Sequence, residues 1–355
     1  MKEKILMAMS GGIDSSVAAI LLMEQGYDLI GVTFTAFDVF NDNNETVCGN
    51  SKAINDAKKL AEQLGFEHHT LDVRKEFKNI VISDFINEYL NGRTPNPCAV
   101  CNYTIKWGLL LELANKLNCN YIATGHYAQI INENNRYFLR KGVDVLKDQT
   151  YFLWRLSQEQ LAKTIFPLGH ITKQEVRQIA EQNGFKVLSE KKESQEICFI
   201  PDNDYRKFLN ENVNNINEYC QEGNFVDTQG KILGKHAGLF NYTVGQRRGL
   251  GIALGSPMYV VRLDKTNNNV ILGAKEELSD NKVIASEINL MKYEKINNGD
   301  EFQTRVRYRS KSSLAKFINN SKGGLTIEFF DMIESITPGQ SVVFYEDNDL
   351  VGGGV

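Results

Sequence analysis

The segment Ser10-Gly11-Gly12-Ile13-Asp14-Ser15-Ser16 constrains this chain more than any other. The apolar run Ile5 to Met9 precedes it. A helical run from Ser16 to Gln25, closed by Gly26, follows it. A strand must therefore turn into a helix across two glycines. Glycines let the backbone turn tightly and approach a ligand, and the N–H groups at a helix N-terminus attract an anion. Ser15 and Ser16 add hydroxyl donors, and Asp14 can orient Mg²⁺ or cap the helix. Walker A is excluded, because its spacing and its lysine are missing. A lone Gly-Gly would read as a plain turn with a serine cap. Seven consecutive residues in a strand–turn–helix context read as a phosphate cradle.

The alternation continues downstream. Leu29 to Phe34 forms a second buried strand. Ile54, Ala57, Leu60, Ala61 and Leu64 recur at helical spacing before Gly65. Glu67 to Leu71 is a third strand, and Phe77, Ile80, Val81 and Phe85 mark another helix. Tyr121 to Ala123 is a strand ending at Thr124-Gly125-His126. Strands alternating with helices predict an α/β fold: a doubly wound, mostly parallel sheet covered on both faces. Two irregular loops interrupt it, residues 35–50 and the stretch GRTPNPCAVCN over 92–102. Loops of this kind inside a compact domain are usually functional.

Beyond about residue 205 helical periodicity gives way to short strands between turns. Examples are Tyr259 to Leu263, Val270 to Leu272, Leu325 to Phe330 and Ser341 to Tyr345. The expected organisation is a nucleotide-binding catalytic domain over 1–205, a small linker domain over 206–275 and a C-terminal β-barrel over 276–355.

No run of about 18 apolar residues exists, so no membrane span is expected. The net charge of −4 means that any nucleic-acid contact must come from local patches. Six cysteines without a secretory signal argue for reduced thiols in a cytoplasm rather than a disulfide scaffold.

Cys98, Cys101 and Cys198 stand apart from the other cysteines. The first two lie in a proline-stiffened segment ahead of a helix patterned from Thr104 to Leu117, where a thiol is expected to ionise more readily. Cys198, between Ile197 and Phe199, would by itself be read as buried. Cys48, Cys119 and Cys220 read as structural.

The phosphate loop resembles that of the PP-loop ATP pyrophosphatases, which cleave ATP between its α and β phosphates and form an adenylated intermediate. The segments GRTPNP, CNYTIKW, ATGHYA, KDQTYFL, ICFIP, TVGQRRGLGI and TPGQSVVFY follow in order. Together these are similar to the tRNA-specific 2-thiouridylase family over nearly the whole chain. The resemblance implies ATP- and Mg²⁺-dependent thiolation of the wobble uridine of tRNA, with lysine, glutamate and glutamine isoacceptors as substrates. It also implies a cysteine desulfurase or sulfur relay carrier as persulfide donor, and a cytoplasmic location.

Matched motif by motif, Cys101 corresponds to the nucleophile and Cys198 to the persulfide carrier, the two joining in a transient disulfide. The ATP site would comprise Ala8, Met9, Ser10, Gly11, Gly12, Ile13, Asp14 and Ser15 with Phe34 and Gly125. Asn96, Pro97 and Cys98 would face the target base. His126, Lys147, Asp148, Gln149, Arg307, Tyr308 and Gln340 would touch tRNA. The chain departs from the family at Phe34, where methionine is common, and at SQEICFI, where STGICFI is commoner. It departs again at Cys98, where many relatives have aspartate. Cys98, Cys101 and Cys198 could instead hold a [4Fe-4S] cluster with one open iron, or Cys98 could be an adventitious third thiol. A zinc site lacks an obvious fourth ligand.

Arg305, Arg307 and Arg309 alternate with Val306 and Tyr308, which on a strand would align three guanidinium groups. Arg247-Arg248 and Lys191-Lys192 add local charge. A solvated strand face is the plain reading. In an ATP-activating enzyme, contact with a phosphate backbone is the expected one.

Overall fold

The computed structural model describes residues 2–40, 46–48, 51–185, 197–253, 255–320 and 323–355. Lys191-Lys192 and Gln195-Glu196 lie outside them, as does the side chain of Cys48.

The first unit is built on a five-stranded sheet in the order Glu67–Asp72, Asp28–Thr35, Lys4–Ala8, Tyr121–Ala123, Thr164–Ile165. Every pairing in it is parallel. The first strand is central, and the chain adds strands on one side before crossing to the other. This is the doubly wound arrangement expected from the alternating pattern. The strands Lys4–Ala8 and Asp28–Thr35 are buried on both faces, as their continuous apolar runs require, whereas the edge strand Glu67–Asp72 stays partly exposed. Leu6 points into a cluster with Trp107, Leu110 and Ile122, whereas Ile5 and Met7 pack with Val17, Leu22 and Leu60 on the opposite face. In such sheets the order reverses between the central strand and its late neighbour, and ligands bind outside the strand ends there. Here that point lies between Lys4–Ala8 and Tyr121–Ala123.

A four-stranded sheet follows, in the order Ile232–Ala237, Glu222–Asp227, Asn269–Gly273, Tyr259–Asp264. Its core is Phe225, Leu250, Val260, Val270 and Leu272. The C-terminal unit is a larger, mainly antiparallel barrel sheet around Phe302, Phe317, Ile327 and Phe344. The hairpin Ala128–Glu133 and Arg136–Lys141, from the first unit, extends this sheet through the pairing of Arg140 with Asp349. An Arg140–Asp349 ion pair of 2.5 Å marks the same junction. The first unit and the barrel are thus joined by backbone as well as side chains.

One expectation is corrected. The strand Glu301–Arg305 ends at Arg305, and the next residues turn. Ser310 N–H donates to Arg307 O, while Ser310 Oγ accepts from Arg307 N–H. The three arginines therefore do not share a strand face. Among the described residues no helix is long and apolar enough to cross a membrane.

Candidate active site

The phosphate loop closes on itself. Ser15 Oγ accepts from Ser10 N–H at 3.1 Å and lies 3.1 Å from Gly12 O, and Ser16 Oγ donates to the same carbonyl at 2.9 Å. Gly12 is the N-cap of the helix Ile13–Glu24 and supplies no side-chain cap. Orphan N–H groups at a helix start need a partner, and an anion is a good one. Gly11 sits at φ +66°, and a Cβ there would lie 2.3 Å from Ala53 O, so only glycine fits. Gly125 packs against the loop from the neighbouring strand end: its Cβ would come within 2.8 Å of Asp14 C and Ser15 N. Ala8 and Met9 lead into the loop, with Met9 and Ile13 buried beneath it. Phe34 lies at the same end of the adjacent strand.

Asp14 has two partners that sequence reasoning missed. Tyr127 Oη donates to Asp14 Oδ1 at 2.6 Å, and Lys173 Nζ lies 2.7 and 2.8 Å from its two oxygens. The Lys173 side chain is 8% exposed, so a buried ammonium stands beside the loop. Charges buried this way are retained where they are paired. Lys173 opens the helix Lys173–Gln182 behind a capping box of Thr172 and Glu175. That box was visible as T-x-x-E, but its partner was not. An Mg²⁺ ion suits Asp14, which keeps a third of its side chain exposed.

The thiols sit on the next loop. Asn96 caps the short helix Pro97–Cys101, its Oδ1 accepting from Ala99 N–H and its Nδ2 donating to Ser341 Oγ at 3.0 Å. Pro97 is buried and Cys98 exposed. Gln340 Nε2 donates to the carbonyls of Thr94 and Pro95, so the barrel grips the segment that carries Cys98. The helical path continues through a wide-turn stretch, Asn102–Gly108, a form frequent at functional sites.

Cys98, Cys101 and Cys198 lie within one another's electrostatic reach and share one cation, Lys106. Burial pushes the Cys101 thiol up to about 12; Lys106 opposes this, and the other two thiols reinforce it. Burial likewise raises Cys198 to about 11, and raises Cys98. Cys98 and Cys198 are nevertheless exposed to solvent. The expected easy ionisation is corrected: loss of water outweighs Lys106 at all three thiols. Lys106, inside CNYTIKW, was not singled out by sequence reasoning. Among the described residues, no three His, Cys, Asp or Glu side chains are set to hold a metal ion. As placed, the thiols do not form a cluster's ligand set.

His126 links the two halves. It follows Gly125, receives or donates a 2.7 Å hydrogen bond with Thr124 Oγ1, and packs on Trp107 and Phe166. Burial, with Lys106 adding to it, holds its pKa well below the usual imidazole value, so the ring is neutral. Lys106 thus feels both His126 and the thiols.

The other tRNA candidates spread along the junction with the barrel. Gln149 Oε1 accepts from Tyr127 N–H. Asp148 keeps its side chain inside, with Oδ1 accepting from Thr150 and Oδ2 3.9 Å from the Arg305 guanidinium. Lys147 is partly exposed. Tyr308 Oη donates to Asp148 O. Arg307 is half-buried, donating to Val244 O and Thr337 Oγ1, which ties the central unit to the barrel. Cys119 is buried and Cys220 partly so.

With this geometry in place, the comparisons with known proteins take a definite meaning. Residues 3–202 match the model of the tRNA methyl transferase HUP domain. Residues 206–274 match its PRC-barrel domain, and 280–355 match the aminomethyltransferase beta-barrel domain. The tRNA-specific 2-thiouridylase MnmA of Cytophaga hutchinsonii is 47% identical over 99% of this chain and 97% of its own length. That of Amoebophilus asiaticus is 49% identical over 99% and 95%. The chain belongs to the tRNA-specific 2-thiouridylase family. A 2-thiouridylase from Natranaerobius thermophilus is 46% identical over all of this chain and 97% of its own length. The 2-thiouridylase relatives thus span all three units, and the sequence resemblance holds from the phosphate loop to the last strand.

Proposed function

We propose that this chain thiolates C2 of the wobble uridine of tRNA at the expense of ATP. The observation that carries the reading is the meeting of Cys101 and Cys198 around Lys106, beside a phosphate loop of the PP-loop kind. An amidotransferase-type ligase built on such a loop would have no use for that thiol pair.

The uridine C2 carbonyl oxygen is a poor leaving group. Attack of this oxygen on the α-phosphorus of ATP expels pyrophosphate and converts it into the oxygen of AMP. The uncapped helix start, Ser10 and the Ser15 hydroxyl hold the phosphates, and Asp14 would hold Mg²⁺, which neutralises charge there. Phe34 lies at the adenine side. The terminal sulfur of a persulfide on Cys198 attacks C2, and AMP leaves with the oxygen. The base is then joined to Cys198 through a disulfide. The Cys101 thiolate attacks Cys198 Sγ, forming the Cys101–Cys198 disulfide and releasing 2-thiouridine. A cytoplasmic dithiol reductant supplies the two electrons that reopen it.

Asn96, Pro97 and Cys98 face the base in this reading, and Lys147, Gln149, Tyr308 and the arginine turn approach the tRNA backbone. Lysine, glutamate and glutamine isoacceptors are the expected substrates, and a cysteine desulfurase or relay carrier the sulfur source. The test combines the protein with ATP, unmodified tRNA and a persulfide-charged donor. Equal yields of 2-thiouridine, AMP and pyrophosphate are expected. Pyrophosphate release without any thiolated base would overturn the assignment.

A further inference from the structure

We propose that Asp144 and Tyr127 are positioning residues that make the phosphate loop and the 144–149 loop bind their ligands cooperatively. The proposal rests on reading the phosphate loop as the ATP site and Lys147 and Gln149 as part of the tRNA side.

Two separate ties run from Asp14 to that loop. In the first, the Lys173 ammonium pairs with Asp14, while the Lys173 backbone N–H donates to Asp144 Oδ2 at 2.9 Å. The other oxygen of the same carboxylate accepts from Leu146 N–H at 3.1 Å. In the second, Tyr127 Oη donates to Asp14, while Tyr127 N–H donates to Gln149 Oε1 at 3.0 Å. Gln149 N–H returns a bond to Tyr127 O at 3.2 Å. Between these anchors Val145 is 71% and Leu146 89% exposed, while Asp148 is buried and its carbonyl accepts from Tyr308 Oη. A segment with few apolar contacts is set by its hydrogen-bonded anchors.

Polyphosphate at the loop brings negative charge to a place already holding Asp14. The Lys173 ammonium then gains a second anion, and the Tyr127 hydroxyl loses its claim on an Asp14 that turns to a cation. Either change moves a residue whose backbone is bonded to the 144–149 loop. Coupling of this kind is reciprocal: ATP strengthens tRNA binding by the same factor as tRNA strengthens ATP binding.

The experiment measures the dissociation constant of the ATP analogue with a methylene bridge between its α and β phosphates, with and without an unmodified tRNA transcript. It is done for the wild type, Asp144→Ala, Tyr127→Phe and the double variant. Tyr127→Phe loses a single oxygen and keeps the ring, so it tests the idea even if Asp144→Ala folds poorly. The wild-type coupling factor is expected to be about tenfold, within the usual range. It should fall to about two- to threefold in each single variant and near unity in the double. Asp144→Ala should bind each ligand alone within about threefold of wild type. A wild type that binds both ligands with no coupling, or with coupling untouched by either variant, overturns the inference while leaving the site reading intact. A wild type that binds neither ligand overturns the reading itself, and the inference with it.

Discussion

Lys173 reaches back 159 residues to set its ammonium 2.7 and 2.8 Å from the two carboxylate oxygens of Asp14. The pair joins the start of a late helix to the turn after the first strand. It brings one buried positive charge to a loop built for an anion. Ion pairs in such places are poor contributors to stability in general, because desolvation offsets attraction.

Lys173→Met removes the ammonium and keeps most of the volume. Pyrophosphate release should fall by about 100-fold, the usual loss when one charge-stabilising group is removed. Asp14→Ala should abolish it, with tRNA binding largely retained in both. A Lys173→Met enzyme with wild-type pyrophosphate release would return the pair to a structural role.

The thiols give a pH prediction whose sign follows from burial. Cys101 is pushed up to about 12 and Cys198 to about 11, so the neutral thiol dominates near pH 7. The reactive thiolate should therefore grow about tenfold per pH unit between pH 7 and 9. Alkylation of each cysteine, followed by peptide mass spectrometry, should show that slope. Lys106 lowers all three thiols, so Lys106→Met should slow alkylation of each at a given pH. A plateau of reactivity already at pH 7 would mean preformed thiolates and sink the argument.

What the sequence disclosed was local. The phosphate turn and the parallel strands depend on neighbours in the chain, and their residue patterns carry them. The roles proposed for Cys101 and Cys198 came from motifs, not from any geometry a sequence displays. Lys106 and Lys173 went unnoticed because an isolated lysine on a helix looks like a solvated one until its distant partner is placed. The arginine run failed for the opposite reason. Its alternation has the period of a strand, but Ser310 closes a turn onto Arg307 that no alternation reveals.

That turn divides the arginines by task. Arg307 spends its guanidinium on Thr337 and Val244, and Arg305 lies beside the buried Asp148. Arg309 is exposed. Arg309→Ala should reduce the salt slope of tRNA binding by roughly 0.7–0.9, one phosphate contact. Arg307→Ala should instead lower thermal stability by loosening the central unit from the barrel. Equal slope losses from all three single variants would restore the aligned arrangement.

Cys98 separates the two possible uses of three thiols. In the persulfide route only Cys198, which carries sulfane sulfur, and Cys101, which resolves the disulfide, form bonds. Cys198→Ser should adenylate tRNA but transfer no sulfur, because a hydroxyl cannot hold it. Cys101→Ser should still accept a persulfide at Cys198 yet show no multiple turnover. Cys98 is exposed, and its thiol raises those of Cys101 and Cys198. Cys98→Ser should then retain most of the thiouridine yield. Were the three thiols ligands of a cluster, each serine variant would lose activity equally, together with bound iron. Thiouridine yield and iron content, measured on anaerobically purified single variants, should therefore diverge: yield lost at Cys101 and Cys198 and kept at Cys98, with iron substoichiometric throughout. Matched loss of yield and of stoichiometric iron at Cys98 would replace the persulfide with a cluster.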